Sequence, residues 1–162
     1  MARAMGPDWP IILETPHPIG TPMASMLARG KPAISIELGG AAMCMPWDLH
    51  RIATAIKDAL KNLCRHYGMI DGEARYADGH WRGKQKVVQA GKSGIIDPFP
   101  TCQFKKPMFK GDLLLRIMNL LGEPVEELTA PCDGTLFGVR TYPSVTAGDW
   151  ALFCAEATYQ KG

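Results

Sequence analysis

The residue types that could do chemistry converge on one stretch, Lys31-Pro-Ala-Ile-Ser-Ile-Glu-Leu-Gly-Gly40. Ala33 to Leu38 is short, apolar and partly β-branched, which reads as a buried strand. Glu37 stands near its carboxyl end, and two glycines follow at once. An unpaired carboxylate inside a buried strand is costly. At the carboxyl end of a parallel strand it instead faces the edge where open α/β sheets place their ligands. Gly39 and Gly40 allow a sharp turn and a close approach to the backbone. A solvated strand-end acid followed by a turn would use the same residues, so this stretch alone leaves both readings open.

Other chemistry-bearing residues form no metal site in the sequence. The five cysteines (44, 64, 102, 132, 154) are scattered, odd in number and include no Cys-x-x-Cys. They support neither a disulfide framework nor a thiolate zinc site, and reduced thiols in a cytoplasmic protein fit them best. Met23, Met26, Met43 and Met45 read as gap-fillers, and Trp47 and Trp150 as packing anchors. Arg29 and Arg51 read as helix-surface charges and His17 as a surface-loop residue. A net charge of +2 is too small to argue for nucleic acid or an acidic membrane. Residues 1–20 are broken by four prolines, and no apolar run is long enough to span a bilayer.

The elements that must position Glu37 follow in chain order. Pro10 to Leu13 reads as an interior strand and Glu14 to Gly20 as a proline-rich loop. Thr21-Pro22 offers a cap and a first-turn proline, with Gly30 as the stop of a short helix. Strand, helix and strand with short loops imply a right-handed crossover between parallel strands. Asp48 to Tyr67 is a clear helix, with Leu49, Ile52, Ile56, Leu60, Leu63 and Tyr67 on one expected core face and Gly68 as its end. Two strands and two helices do not cover a parallel sheet on both faces. Residues 1–70 therefore read as the tail end of a larger α/β domain, an α/β remnant of strand-helix-strand-helix.

From residue 71 onward the texture is β. Gln89-Ala-Gly-Lys-Ser-Gly-Ile-Ile96 leads to Phe109-Lys-Gly-Asp112, and Thr129-Ala-Pro-Cys-Asp-Gly-Thr-Leu136 leads to Thr146-Ala-Gly-Asp149. Each Gly-Asp suits a tight turn. Two weakly similar halves with pseudo-twofold symmetry, meeting near Leu121–Val125, imply a small all-β sandwich or barrel domain over residues 71–162.

Two passages resemble the succinylglutamate desuccinylase/aspartoacylase family of zinc carboxypeptidase-like deacylases. One is Gly30 to Gly40 with the long helix and Tyr67-Gly-Met-Ile-Asp-Gly72. The other is the glycine-punctuated tail of Lys110-Gly-Asp112, Gly122-Glu123, Ala130-Pro-Cys-Asp-Gly134 and Gly148-Asp-Trp150. The resemblance is to the carboxyl-terminal part of the family, and it implies a carboxypeptidase-like domain remnant ahead of the β domain. It also implies that Glu37 is the general base and acid, taking a proton from water and returning it to the departing amine. Tyr142, between Thr141 and Pro143, is the residue that would reach over the active site as a substrate contact.

The family holds zinc with a His-x-x-Glu pair and a later His, and this chain departs from that pattern. The third residue after His17 is Gly20, after His50 Ala53, after His66 Met69 and after His80 Gly83. Glu14-Thr-Pro-His17 has the reverse order in a proline-broken loop. Zinc is therefore expected only in the complete enzyme, with no metal ligand in this chain, and this portion alone should hydrolyse nothing. The implied partner is a small-molecule N-acyl amino acid, together with a homo-oligomer or a chain supplying the zinc-binding half. The rival is a non-catalytic binding or scaffold protein, or a truncated gene product, built on a biotinyl- or lipoyl-like β domain. A carrier needs its modified lysine at the hairpin between the halves, and Leu120-Leu-Gly-Glu-Pro124 has none.

Overall fold

Local capping sets the two helices. The computed structural model describes residues 1–7, 9, 11–13, 19–36, 38–39, 46–97, 104 and 106–161. A 3-10 turn, Ala2–Met5, precedes strand β1, Ile11–Leu13, and helix α1, Pro22–Ala28. Thr21 Oγ1 accepts from the Ala24 N–H at 3.2 Å, which satisfies one of the first-turn donors. At the other end Gly30 takes φ 68°, so that its own N–H and that of Lys31 reach back to Leu27 O and Met26 O. Helix α2, Pro46–His66, ends in the same way: Gly68 takes φ 66°, and the N–H groups of Gly68 and Met69 cap Arg65 O and Cys64 O. Both glycines do what their positions imply.

The expected strand at 33–38 is a correction. Residues 31–36 and Leu38 belong to neither helix nor strand. A strand in a parallel sheet needs neighbours for its N–H and C=O groups, and no described residue pairs with this stretch. Among the described residues there is then no second strand to complete the crossover expected from β1. The next strand along the chain is β2, Gly79–Gln89.

The chain divides into two compact units, Met1–His80 with Gln160–Gly162, and Trp81–Tyr159. In the first, α2 packs on the amino-terminal 3-10 turn, burying Ala4 and Met5 against Ala59 and Asn62. The expected core face of α2 is not the buried one. Leu49, Leu60 and Tyr67 are each about half exposed, and Trp47, read as an anchor, is 68% exposed. An apolar stripe is buried only where another element covers it, and among the described residues only the small Ala59–Asn62 side is covered.

The second unit is a two-sheet structure. Its remaining strands are β3 (Gly94–Asp97), β4 (Pro107–Met108), β5 (Leu113–Met118), β6 (Pro124–Thr129), β7 (Gly134–Val139), β8 (Ser144–Val145) and β9 (Trp150–Lys161). One sheet runs β2-β9-β7-β4, and the other runs β6-β5-β3-β8. The β3–β5, β3–β8, β5–β6, β4–β7 and β7–β9 pairs are antiparallel. Ile96, Leu115, Ile117 and Val145 from one sheet and Met108, Leu136, Leu152 and Cys154 from the other share one buried core. The protein is thus mostly β with two helices.

The weak internal repeat is structural. Asp112 Oδ2 accepts from Phe109 N–H at 2.7 Å, and Asp149 Oδ2 accepts from Thr146 N–H at 3.1 Å. Gly111 N–H and Asp112 O bond Ala130, while Gly148 N–H and Asp149 O bond Ala90 in the same pattern. Lys110 N–H donates to Asp133 Oδ1 where Ala147 N–H donates to Ser93 Oγ. Each half therefore holds the Gly-Asp turn of the other.

Candidate functional site

Glu37 lies outside the described residues, as do Glu14 and His17. Its described neighbours belong to the first unit: Ile36 is half-buried, Leu38 is exposed, and Gly39 takes φ 89°, a left-handed conformation that favours glycine. Gly39 thus has a conformation that a turn after the acid would use.

Tyr142 belongs to the second unit, between β7 and β8, and is 46% exposed. Its position is set by Arg140, whose guanidinium carbon lies 5.8 Å from the Tyr142 ring centre and 5.8 Å from that of Trp150. Arg140 Nη2 is paired with Asp149 Oδ2 at 3.1 Å, and its Nε donates to Ser144 O at 3.1 Å. The planar guanidinium is thus pinned by two acceptors and flanked by two aromatic rings, a use of arginine that lysine would not reproduce. Trp150 in turn stacks on Phe153 at 4.5 Å, so its role as a packing anchor is met although it is partly exposed. The arrangement presents a phenol on a fixed mount at the surface of the β unit. It can offer a hydrogen bond or a ring face to a ligand.

The donors among the described residues do not assemble a zinc site. Among the described residues no group of three or more His, Cys, Asp and Glu side chains could hold a metal. His66 Nδ1 lies 2.8 Å from the Tyr76 hydroxyl and packs edge-on against the Tyr67 and Tyr76 rings. Arg51 pairs with Asp48 along helix α2, as a helix-surface charge would. Of the described cysteines, Cys64 is partly buried and Cys132 and Cys154 are buried. Burial pushes the Cys132 thiol up, with the Glu156 carboxylate adding to the effect and Lys86 opposing it. A raised thiol is a poor nucleophile.

One organising residue has no counterpart among the residues singled out in the sequence. Asn62 is buried on helix α2, where its Nδ2 donates to Ala4 O at 2.8 Å and to Arg75 O at 2.6 Å. Its Oδ1 accepts from Arg75 N–H at 2.7 Å. The only sequence signal is an amide on the alanine-rich side of a helix, a side that the larger apolar residues outweigh.

No protein-family model and no curated protein matches this chain. Solved structures do match it. The ectoine utilization protein EutE (DoeB) of Ruegeria pomeroyi, in a product-bound structure, aligns over 94% of this chain and 46% of its own, with a TM-score of 0.74 at 23% identity. A succinylglutamate desuccinylase/aspartoacylase of Rhodobacter sphaeroides aligns over 97% and 48%, with a TM-score of 0.73 at 21% identity. A succinylglutamate desuccinylase of Silicibacter sp. TM1040 aligns over 96% and 47%, with a TM-score of 0.70 at 21% identity. This chain spans about half the length of each of these structures. At such identities the likeness is one of fold, and at that level the resemblance read from the sequence holds. The chain has the fold of about half of a succinylglutamate desuccinylase/aspartoacylase family protein.

Proposed function

We propose that this chain is the carboxyl-terminal portion of a cytoplasmic zinc-dependent deacylase that hydrolyses the N-acyl amide bond of an amino-acid-like substrate. The observation that carries this reading is the near-complete coverage of this chain against about half of each matched structure. The uncovered apolar stripe of helix α2 supports it. Ile56, Leu60, Cys64 and Ile70 line an open apolar depression on that helix, the kind of surface that the rest of an α/β domain would cover. Among the described residues no helix is long and apolar enough to cross a membrane.

In this reading Glu37 moves the proton. The water oxygen bonds to the acyl carbon while Glu37 takes the water's proton, and that proton passes to the amine nitrogen as the C–N bond breaks. The products are a free acid and a free amine. Tyr142, mounted on Arg140, contacts the substrate. Zinc is assigned in this reading to the half of the fold that this chain does not span, since the His-x-x-Glu spacing is missing from the sequence and no metal-holding group occurs among the described residues.

The test uses a complete form in which the complementary half of the fold is joined to this chain. Glu37→Gln is expected to abolish hydrolysis of N-acyl amino acids while leaving the zinc content unchanged. Undiminished turnover would remove the proposed role. The 162-residue chain alone is expected to take up no tight zinc in equilibrium dialysis. One tightly held zinc per chain would overturn the assignment of the metal to the other half.

The scaffold reading rests on the repeat, which is also the plan of carrier domains. Its hairpin tip is well built: Asn119 Oδ1 accepts from the N–H groups of Leu121 and Glu123, both at 2.9 Å, and Gly122 takes φ 81°. The residues displayed there are Leu120 and Leu121, both almost fully exposed, where a carrier would show lysine. An unmodified intact mass is expected, and a biotinyl or lipoyl adduct would favour carriage.

A further inference from the structure

Beside Asn62 the first unit contains a cleft of about 350 Å3, bordered by Pro7 and Trp9 and by one side of helix α2. Among the described residues its charged lining is Lys61, Arg65 and Arg75, with the carboxylate Asp58. Arg65 Nε is shut off from solvent and has no hydrogen-bond partner among the described residues. The Arg65 side chain lies over Gly72, where a Cβ would stand 3.0 Å from that nitrogen, so glycine leaves room for it. Arg75 is fixed by its backbone, which Asn62 grips at both N–H and C=O.

A buried N–H without an acceptor is costly, and more so on a cation. Nε itself is closed to a ligand from solution, so an anion in the cleft would be met by the terminal nitrogens of the guanidinium. Three cations around a small cleft suit an anion, and guanidinium groups match the paired oxygens of carboxylate and phosphate. The volume lies at the small end of the range for ligand pockets.

We infer that this cleft is a binding site for a small oxyanion, a carboxylate or phosphate group, held by Arg65 and Arg75 with Lys61 at the rim. The site is built from helix α2 and the segments packed on it, and it draws on neither Glu37 nor Tyr142. It therefore stands independently of the deacylase reading.

The test is calorimetric titration of the 162-residue chain at low ionic strength, with inorganic phosphate in one arm and succinate in the other. Saturable binding of one anion per chain is expected, and the arm with the tighter binding identifies the class of ligand. Arg65→Met, which keeps the aliphatic stem, is expected to weaken binding by about tenfold or more, as loss of a charge-assisted hydrogen bond should. Arg75→Met should act in the same direction, and Arg29→Met, on the exposed end of helix α1, should change nothing. If Arg65→Met does not fold, Lys61→Met at its exposed position serves in its place and is expected to weaken binding by about threefold. Absence of saturation in both arms would overturn the inference. So would unchanged affinity in the cleft variants, or an equal loss in Arg29→Met.

Discussion

Asn62 and Arg75 exchange two hydrogen bonds, the Arg75 N–H donating to Oδ1 at 2.7 Å and the Arg75 carbonyl accepting from Nδ2 at 2.6 Å. The remaining Nδ2 hydrogen goes to Ala4 O. One side chain thus ties the amino-terminal turn, the long helix and the segment after it. Asn62→Ala would leave three backbone groups without that partner, a loss of about 2–4 kcal/mol. Urea unfolding followed by helix circular dichroism should show the drop. Hydrogen exchange in β5 and β9 should be unaffected, because the second unit has its own core.

Gly94 and Gly134 occupy equivalent places in the two halves, and each leaves no room for a side chain. A Cβ at Gly94 would run into the Met118 carbonyl oxygen, and one at Gly134 into that of Ala155. Alanine at either position should cost more than about 3 kcal/mol or prevent folding, since the obstacle is backbone. Gly111 is the contrast: its φ is +94°, but a Cβ there would meet nothing within 4 Å. Gly111→Ala should cost only about 1–2 kcal/mol, the conformational part alone. Comparable losses at Gly111 and Gly94 would contradict the steric account.

The two Gly-Asp turns differ in one respect. Asp112 caps Phe109 N–H, whereas Asp149 caps Thr146 N–H and also pairs with Arg140. Asp112→Ala should cost about 1 kcal/mol, and Asp149→Ala about 0.5–1 kcal/mol more, a modest surplus because the pair is partly exposed. Asp149→Ala should also loosen the mount of Tyr142, and a shift in the Tyr142 ring resonances would report it. Identical losses at the two turns would mean that the Arg140 pair contributes nothing.

Cys132 gives a pH signature. Its thiol is raised in the folded state, so the unfolded chain releases this proton at lower pH than the folded one. The associated stability is present in full below the unfolded-state pKa, near 9.0, and is lost as pH rises through the folded value. Stability should therefore fall more steeply above about pH 9 in the natural chain than in Cys132→Ala. Parallel pH profiles for the two proteins would show that burial does not raise this thiol.

What can be read from the sequence is local or repeated. Thr21, Gly30 and Gly68 specify helix ends through contacts within a few residues, and both helices lie close to where those residues put them. The repeat is legible because Gly-Asp turns carry their own hydrogen-bond logic. The strand expected at 33–38 fails, since a strand exists only through its neighbours and none is present among the described residues. The periodic stripe on α2 is apolar as its spacing implies, yet Leu49 and Leu60 are exposed, because periodicity shows which face wants cover and not whether cover is there. Asn62 depends on partners 58 and 13 residues away, which no short window reveals.

The crossed turns of the β unit make its halves interdependent. Asp112 serves an alanine of the later half, and Asp149 serves an alanine of the earlier one. Separated, each half would carry an idle turn and an unclaimed alanine, and two identical copies would satisfy one another about a twofold axis. Such reciprocity makes the folding of either half conditional on the other.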